Sequence, residues 1–163
     1  MQQKEFRLTY EEYGSAQELP PADAALLNAA LTATGNAYAP YSHFRVGAAT
    51  RLLNGELITG SNQENASFPA GICAERTLLS IASVLYPGVA IETLAISYVN
   101  ENGPSDRPIS PCGICRQSLQ EFEQRTGHPI RLILGGQHGK VYIIPEANSL
   151  LPLAFTADDL PII

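Results

Sequence analysis

Three cysteines and one glutamate are the residues of this chain whose types and spacing point to chemistry. Cys112 and Cys115 stand three apart in Pro111-Cys112-Gly113-Ile114-Cys115, and Cys73 lies upstream, two residues before Glu75. Cys73 and Cys112 each open a stretch of helix-forming sequence, where the free N–H groups of a helix start favour an anionic sulfur. Zinc accepts soft thiolates in tetrahedral geometry, and three protein ligands leave its fourth position open for water, the arrangement of catalytic zinc. Glu75 falls on the first turn beside Cys73. It points too far round to be an obvious ligand, and it is placed to take a proton from water at the metal and pass it to a leaving group.

Other readings of these residues remain open at this level. The zinc could be structural, completed by a histidine, or the Cys-x-x-Cys pair could be a redox dithiol without metal, with Glu75 serving the helix dipole. His43, His128 and His138 lie outside any ligand-like spacing, and a dithiol leaves Cys73 and Glu75 without a role. Three thiolates over-neutralise a divalent ion, which weakens its power to acidify water. Arg76, next to Glu75, and Arg116, next to Cys115, are placed to hydrogen-bond the ligand sulfurs and offset that charge, unless they are surface residues.

The elements that position these groups follow from periodicity. Leu26, Leu27, Ala30, Leu31 and Thr34 mark one face of a helix over 22–37, with Pro21 near its start and Gly35 near its end. Asn54-Gly55 joins strand-like runs at 46–53 and 56–60 in a hairpin with a type I′ turn. Residues 73–85 read as a buried helix, ended by Pro87-Gly88, and 112–125 as a second helix with Leu119 and Phe122 inward. Strands are expected at 91–99, 130–134 and 141–144, and the alternating segment Phe6-Arg-Leu-Thr-Tyr10 as a possible edge strand in an N-terminal extension, 1–20. The expected architecture is a three-layer α/β/α sandwich with a mixed five-stranded sheet, folded as one domain over 1–163.

Sixteen acidic against ten basic residues give a net charge of −6, and Lys4 and Lys140 are the only lysines. That balance opposes a nucleic acid polymer as partner, because phosphate binding draws on clustered lysine and arginine. No apolar run approaches the roughly 18 residues that cross a bilayer, and the start lacks a secretory signal, so no membrane partner and a cytoplasmic location are expected.

The arrangement Cys73-Ala-Glu75 with Pro111-Cys112-Gly-Ile-Cys115 matches the signature of zinc nucleobase deaminases. Together with Tyr41-Ser-His-Phe-Arg-Val-Gly-Ala, Gly60-Ser-Asn-Gln-Glu-Asn-Ala and Gly71-Ile-Cys-Ala-Glu-Arg-Thr, it makes the chain resemble the small homotetrameric cytidine deaminases over about 37–160. The resemblance implies a zinc cofactor and hydrolysis of cytidine and 2′-deoxycytidine to the uridines. Water attacks C4 at the metal, Glu75 delivers protons to N3 and to the amine, and ammonia leaves. It also implies that Asn62 and Glu64 hold the ribose hydroxyls, that Phe44 lines the pocket, and that the Ala74 backbone meets the base edge. Phe155 would stack on the pyrimidine of a neighbouring subunit in a homotetramer. The chain departs from many relatives at Thr156, where they carry glycine, and in a longer connection at 100–107 that reads as a surface insertion.

Three rivals share parts of this pattern. A deaminase of a cytosine-nucleoside antibiotic of the blasticidin type would keep the zinc motifs, and Asn62 and Glu64 argue against it. A polynucleotide editor needs a basic, aromatic groove. A noncatalytic, zinc-stabilised binding module would need the cysteines and not Glu75.

Overall fold

Side-chain alternation along the central strands decides which helix each face of the sheet receives. In the computed structural model, which describes residues 1–160, Leu94 and Ile96 of β4 (Ile91–Asn100) face one side and Ala95 the other. Leu132, Ile133 and Leu134 of β5 (Arg131–Leu134) alternate in the same way. On the side of Ala95 and Ile133 lies α1 (Pro21–Ala33), contributing Leu26, Leu27 and Ala30. On the other side lie α2 (Ala74–Leu85) and α3 (Gly113–Thr126), contributing Leu78, Leu79, Ala82, Leu119 and Phe122. Helices therefore cover both faces, giving the expected three layers.

The sheet has six strands where five were expected. With β1 (Glu11–Tyr13), β2 (Phe44–Leu52), β3 (Leu57–Ser61) and β6 (Val141–Ile144), the order is β1-β6-β5-β4-β2-β3, and β4–β5 is the parallel pair in an otherwise antiparallel sheet. The edge strand falls at Glu11–Tyr13, after the alternating segment proposed from sequence. Phe6, Leu8 and Tyr10 stay largely exposed, because ladder pairing with β6 begins only at Glu11; Tyr10 packs its ring on Tyr142, and Glu12 pairs with Lys140.

The hairpin exists, but its turn is not type I′. Gly55 has φ 89, whereas Asn54 has no positive φ. The Leu53 N–H donates to the Ala90 carbonyl at 2.9 Å, while Leu52 and Glu56 close a three-residue loop. That tertiary bond draws Leu53 out of the ladder, and one left-handed glycine then completes the turn. The first helix ends at Ala33 and passes into a tight turn over Thr34–Asn36, short of the expected end. In α2 the burial is one-sided: Val84 and Leu85 near its end are 77% and 63% exposed, so the helix is amphipathic and not enclosed all round.

Two close approaches set the depth of the layers. A side chain at Gly47 would strike the Ala30 carbonyl of α1, and one at Gly60 would stand 2.7 Å from the Ala74 carbonyl of α2. The second contact seats the start of α2, which carries Cys73 and Glu75, directly on β3.

Candidate active site

Cys73 is the N-cap residue of α2 and Cys112 that of α3, and neither side chain makes a capping bond to its helix backbone. Both sulfurs are thus free to turn toward each other where the two helix starts converge. Cys115, one turn into α3, is buried beneath them. The Cys73–Cys112 and Cys112–Cys115 sulfur separations are 3.8 Å and 3.5 Å, and all three sulfurs lie within 4.8 Å of one another. Tetrahedral zinc with Zn–S bonds of about 2.3 Å requires sulfurs about 3.8 Å apart, so the cluster has the size and chemistry the ion needs. Among the described residues no histidine or carboxylate joins this group, which leaves one coordination position for a non-protein ligand.

Hydrogen bonding divides the thiols when they stand without metal. Cys115 donates to Cys73, and this chiefly holds the Cys73 thiol down, at about 6, with burial and the Glu75 charge opposing. The same bond, then burial, pushes Cys115 up. Glu75 is 5% exposed, and burial raises its carboxyl above the usual value, against the pull of a backbone N–H and the Cys115 thiol. A buried carboxyl with raised proton affinity beside a metal site is suited to accept and return a proton.

Cys73, Cys112 and Glu75 open on a cavity of about 630 Å³, lined also by Ala74, Asn62, Glu64, Tyr41 and Ile109. The Asn62 side chain extends the β2–β3 ladder: its Oδ1 accepts from the Val46 N–H at 2.7 Å and its Nδ2 donates to the Phe44 carbonyl at 3.0 Å. One amide hydrogen of Asn62 remains for a ligand. Glu64 Oε2 accepts from the N–H groups of Tyr41 and Ser42, at 2.9 and 3.2 Å. The Ser42 hydroxyl and then these two amides hold its carboxyl below the usual value, against burial.

Three sequence assignments, Phe44, Arg76 and Arg116, sit differently, and Phe155 lies away from its own cavity. Phe44 is not in this cavity wall; it stacks on Tyr98 with ring centroids 4.8 Å apart and lines a neighbouring hollow that shares Ile109. Neither arginine donates to a sulfur. The Arg116 Nε donates to the Pro111 carbonyl at 2.8 Å and its Nη1 to the Leu150 carbonyl at 3.0 Å, because helical side chains lean back toward the helix start. Arg76 lines a separate hollow with Leu79 and Val84 and acts on Cys73 only through its charge. Phe155 is 59% exposed and outside the cavity wall of its own chain, its carbonyl accepting from Gln117 Nε2 at 2.7 Å.

Sequence reasoning did not single out Tyr41, Ser42, Ile109 and Ser110 as wall residues. Adjacency to Pro111-Cys112 was a usable signal for the last two. Tyr41 and Ser42 act through backbone N–H groups, which residue type does not reveal.

The chain matches the model of the cytidine and deoxycytidylate deaminase zinc-binding region over residues 20–127. It is 39% identical to a cytidine deaminase of Halalkalibacterium halodurans, over 83% of this chain and 95% of that protein. A cytidine deaminase of Mycobacterium tuberculosis is 35% identical, over 88% and 97%. The structure is similar to the crystal structure of a cytidine deaminase from Burkholderia pseudomallei, with a TM-score of 0.68 at 39% identity, covering 80% of this chain and 97% of that one. A three-thiol cluster of tetrahedral size inside a matched zinc-binding region makes Zn²⁺ the cofactor. The chain belongs to the cytidine and deoxycytidylate deaminase family.

Proposed function

We infer that the protein hydrolyses cytidine and 2′-deoxycytidine to uridine and 2′-deoxyuridine, consuming one water and releasing one ammonia per turnover. The observation that carries this reading is a three-thiol cluster, two of whose members, Cys73 and Cys112, share the wall of one small-ligand-sized cavity with a buried carboxylate. Zinc bound by Cys73, Cys112 and Cys115 supplies a Lewis acid that makes water nucleophilic near neutral pH.

The chain's own residues do the rest. Glu75 takes the two protons of the attacking water in turn, passing the first to N3 of the pyrimidine and the second to the departing amine, and so serves as base and acid twice. Its burial, which raises its proton affinity, supports that role. The Ala74 backbone meets the base edge at the start of α2. Glu64 and the remaining amide hydrogen of Asn62 meet the sugar hydroxyls, and the enclosing wall keeps competing water from the ring. Phe155, exposed on its own chain, enters the cavity of a neighbouring subunit in a homotetramer. The chain works as one domain, in the cytoplasm, returning cytosine nucleosides to the uridine pool.

Purified, zinc-loaded protein incubated with cytidine, deoxycytidine, adenosine and blasticidin S tests this reading, followed by the ultraviolet change on loss of the amine. Turnover of the first two is expected. Stoichiometric zinc with no turnover of either overturns it, and turnover of blasticidin S alone transfers the reading to the antibiotic class.

A further inference from the structure

Residues 100–107, which look like a surface insertion in sequence, are firmly anchored. The Asn100 N–H donates to Ser105 Oγ at 2.8 Å, and the His138 N–H donates to the Ser105 carbonyl at 3.2 Å. Gly136 and Gly139 lie so close to the carbonyls of Ser105 and Asp106 that no side chain fits between them. Ser105 itself is buried. The loop is thereby fixed to the β5–β6 connection.

From this base Glu101 reaches back to the segment that enters β2. Its N–H donates to the His43 carbonyl at 3.0 Å, its Oε2 lies 3.1 Å from His43 Nδ1, and its Oε1 accepts from Arg45 Nε. His43 has φ 55, a left-handed conformation uncommon for a residue with a side chain and kept only where the surroundings specify it. Immediately before it, Tyr41 and Ser42 present their N–H groups to Glu64 Oε2. Tyr41, Ser42 and Glu64 all line the cavity.

We propose that Glu101 is a positioning residue of the substrate pocket: it holds His43 left-handed, and so sets the segment that orients the Glu64 carboxylate toward the sugar. The proposal rests on the reading of Glu64 as the group that meets the sugar hydroxyls. It gives the insertion a role that concerns affinity for the sugar and not the chemistry at C4. Exposed ion pairs contribute little singly, but here the Arg45 guanidinium and the His43 ring converge on one carboxylate and are joined by a backbone bond to His43.

The test uses the zinc-loaded full chain. For Glu101→Ala the KM for cytidine is expected to rise about five-fold with kcat unchanged. The KM for 2′,3′-dideoxycytidine, which lacks the ring hydroxyls, stays at the wild-type value. Glu101→Gln, which keeps an acceptor for Arg45 and the backbone bond, returns KM to within about two-fold of wild type. Melting temperature and zinc content stay near wild type in both variants. An equal rise in KM for both nucleosides, a fall in kcat, or no recovery in Glu101→Gln overturns the proposal. A wild-type protein that binds zinc and turns over no cytosine nucleoside overturns the functional reading, and the proposal with it.

Discussion

Gly60 of β3 lies against the first turn of α2 so closely that a side-chain carbon there would stand 2.7 Å from the Ala74 carbonyl and 2.7 Å from the Leu78 nitrogen. Both neighbours are backbone atoms, so neither can swing aside. Because Cys73 and Glu75 flank Ala74, any outward shift of α2 moves a metal ligand and the proposed proton carrier together. Gly60→Ala is therefore expected to destabilise the fold by about 1–3 kcal/mol and to loosen zinc. Thermal denaturation and zinc retention against a chelator measure both effects. Gly35→Ala, with nothing within 4 Å of the added carbon, is the control and leaves both unchanged.

Glu75 is buried beside three sulfurs that are themselves the cluster of metal-binding size. Replacing it with glutamine keeps the shape and removes the proposed proton carrier. Glu75→Gln is expected to lower kcat by about 10²–10⁴ while zinc stays stoichiometric. Single-turnover assays paired with metal analysis check this. A variant that retains full kcat assigns the proton transfers elsewhere.

The cysteines and Glu75 were legible in sequence because metal and proton chemistry admit few residue types, and their spacing survives whatever the rest of the fold does. The strands behind them were legible because alternation such as Leu94-Ala95-Ile96 encodes two packed faces. What failed depended on contacts between distant residues. The Leu53 N–H is captured by Ala90, which changed the hairpin turn. Phe44 found Tyr98, a cross-strand neighbour on β4 that no local pattern announces. Of the alternating Phe6, Leu8 and Tyr10, all remain exposed and Tyr10 meets the sheet through the Tyr142 ring, its centroid 4.9 Å away.

Arg116 shows the same limit and carries its own prediction. Adjacency to Cys115 pointed to a sulfur contact, whereas the guanidinium ties the Pro111 carbonyl, just ahead of Cys112, to the Leu150 carbonyl. These bonds brace the turn that leads into Cys112, so an effect on the metal is expected through that turn. Arg116→Ala is expected to weaken zinc affinity by about ten-fold, the usual effect of losing a group that orients a ligand. Competition with a chromogenic chelator measures it. An unchanged zinc affinity would show that the Cys112 turn needs no such support.

Glu64 gives the pocket a defined pH response. Its carboxyl is held below the ordinary value by the Ser42 hydroxyl and the amides of Tyr41 and Ser42, so the folded state favours the ionised form. The contribution of those bonds is complete above the unfolded carboxyl value of about 4.3 and is lost as pH falls through the lower folded value. The KM for cytidine is expected to stay flat from neutral pH down to the ordinary carboxylate range and to rise only below it. Glu64→Gln cannot ionise, so its KM should be high throughout and lack that acid limb. Measuring KM separately from kcat isolates this effect from the titration of Glu75. An acid limb of KM that persists in Glu64→Gln would place the titrating group elsewhere in the pocket.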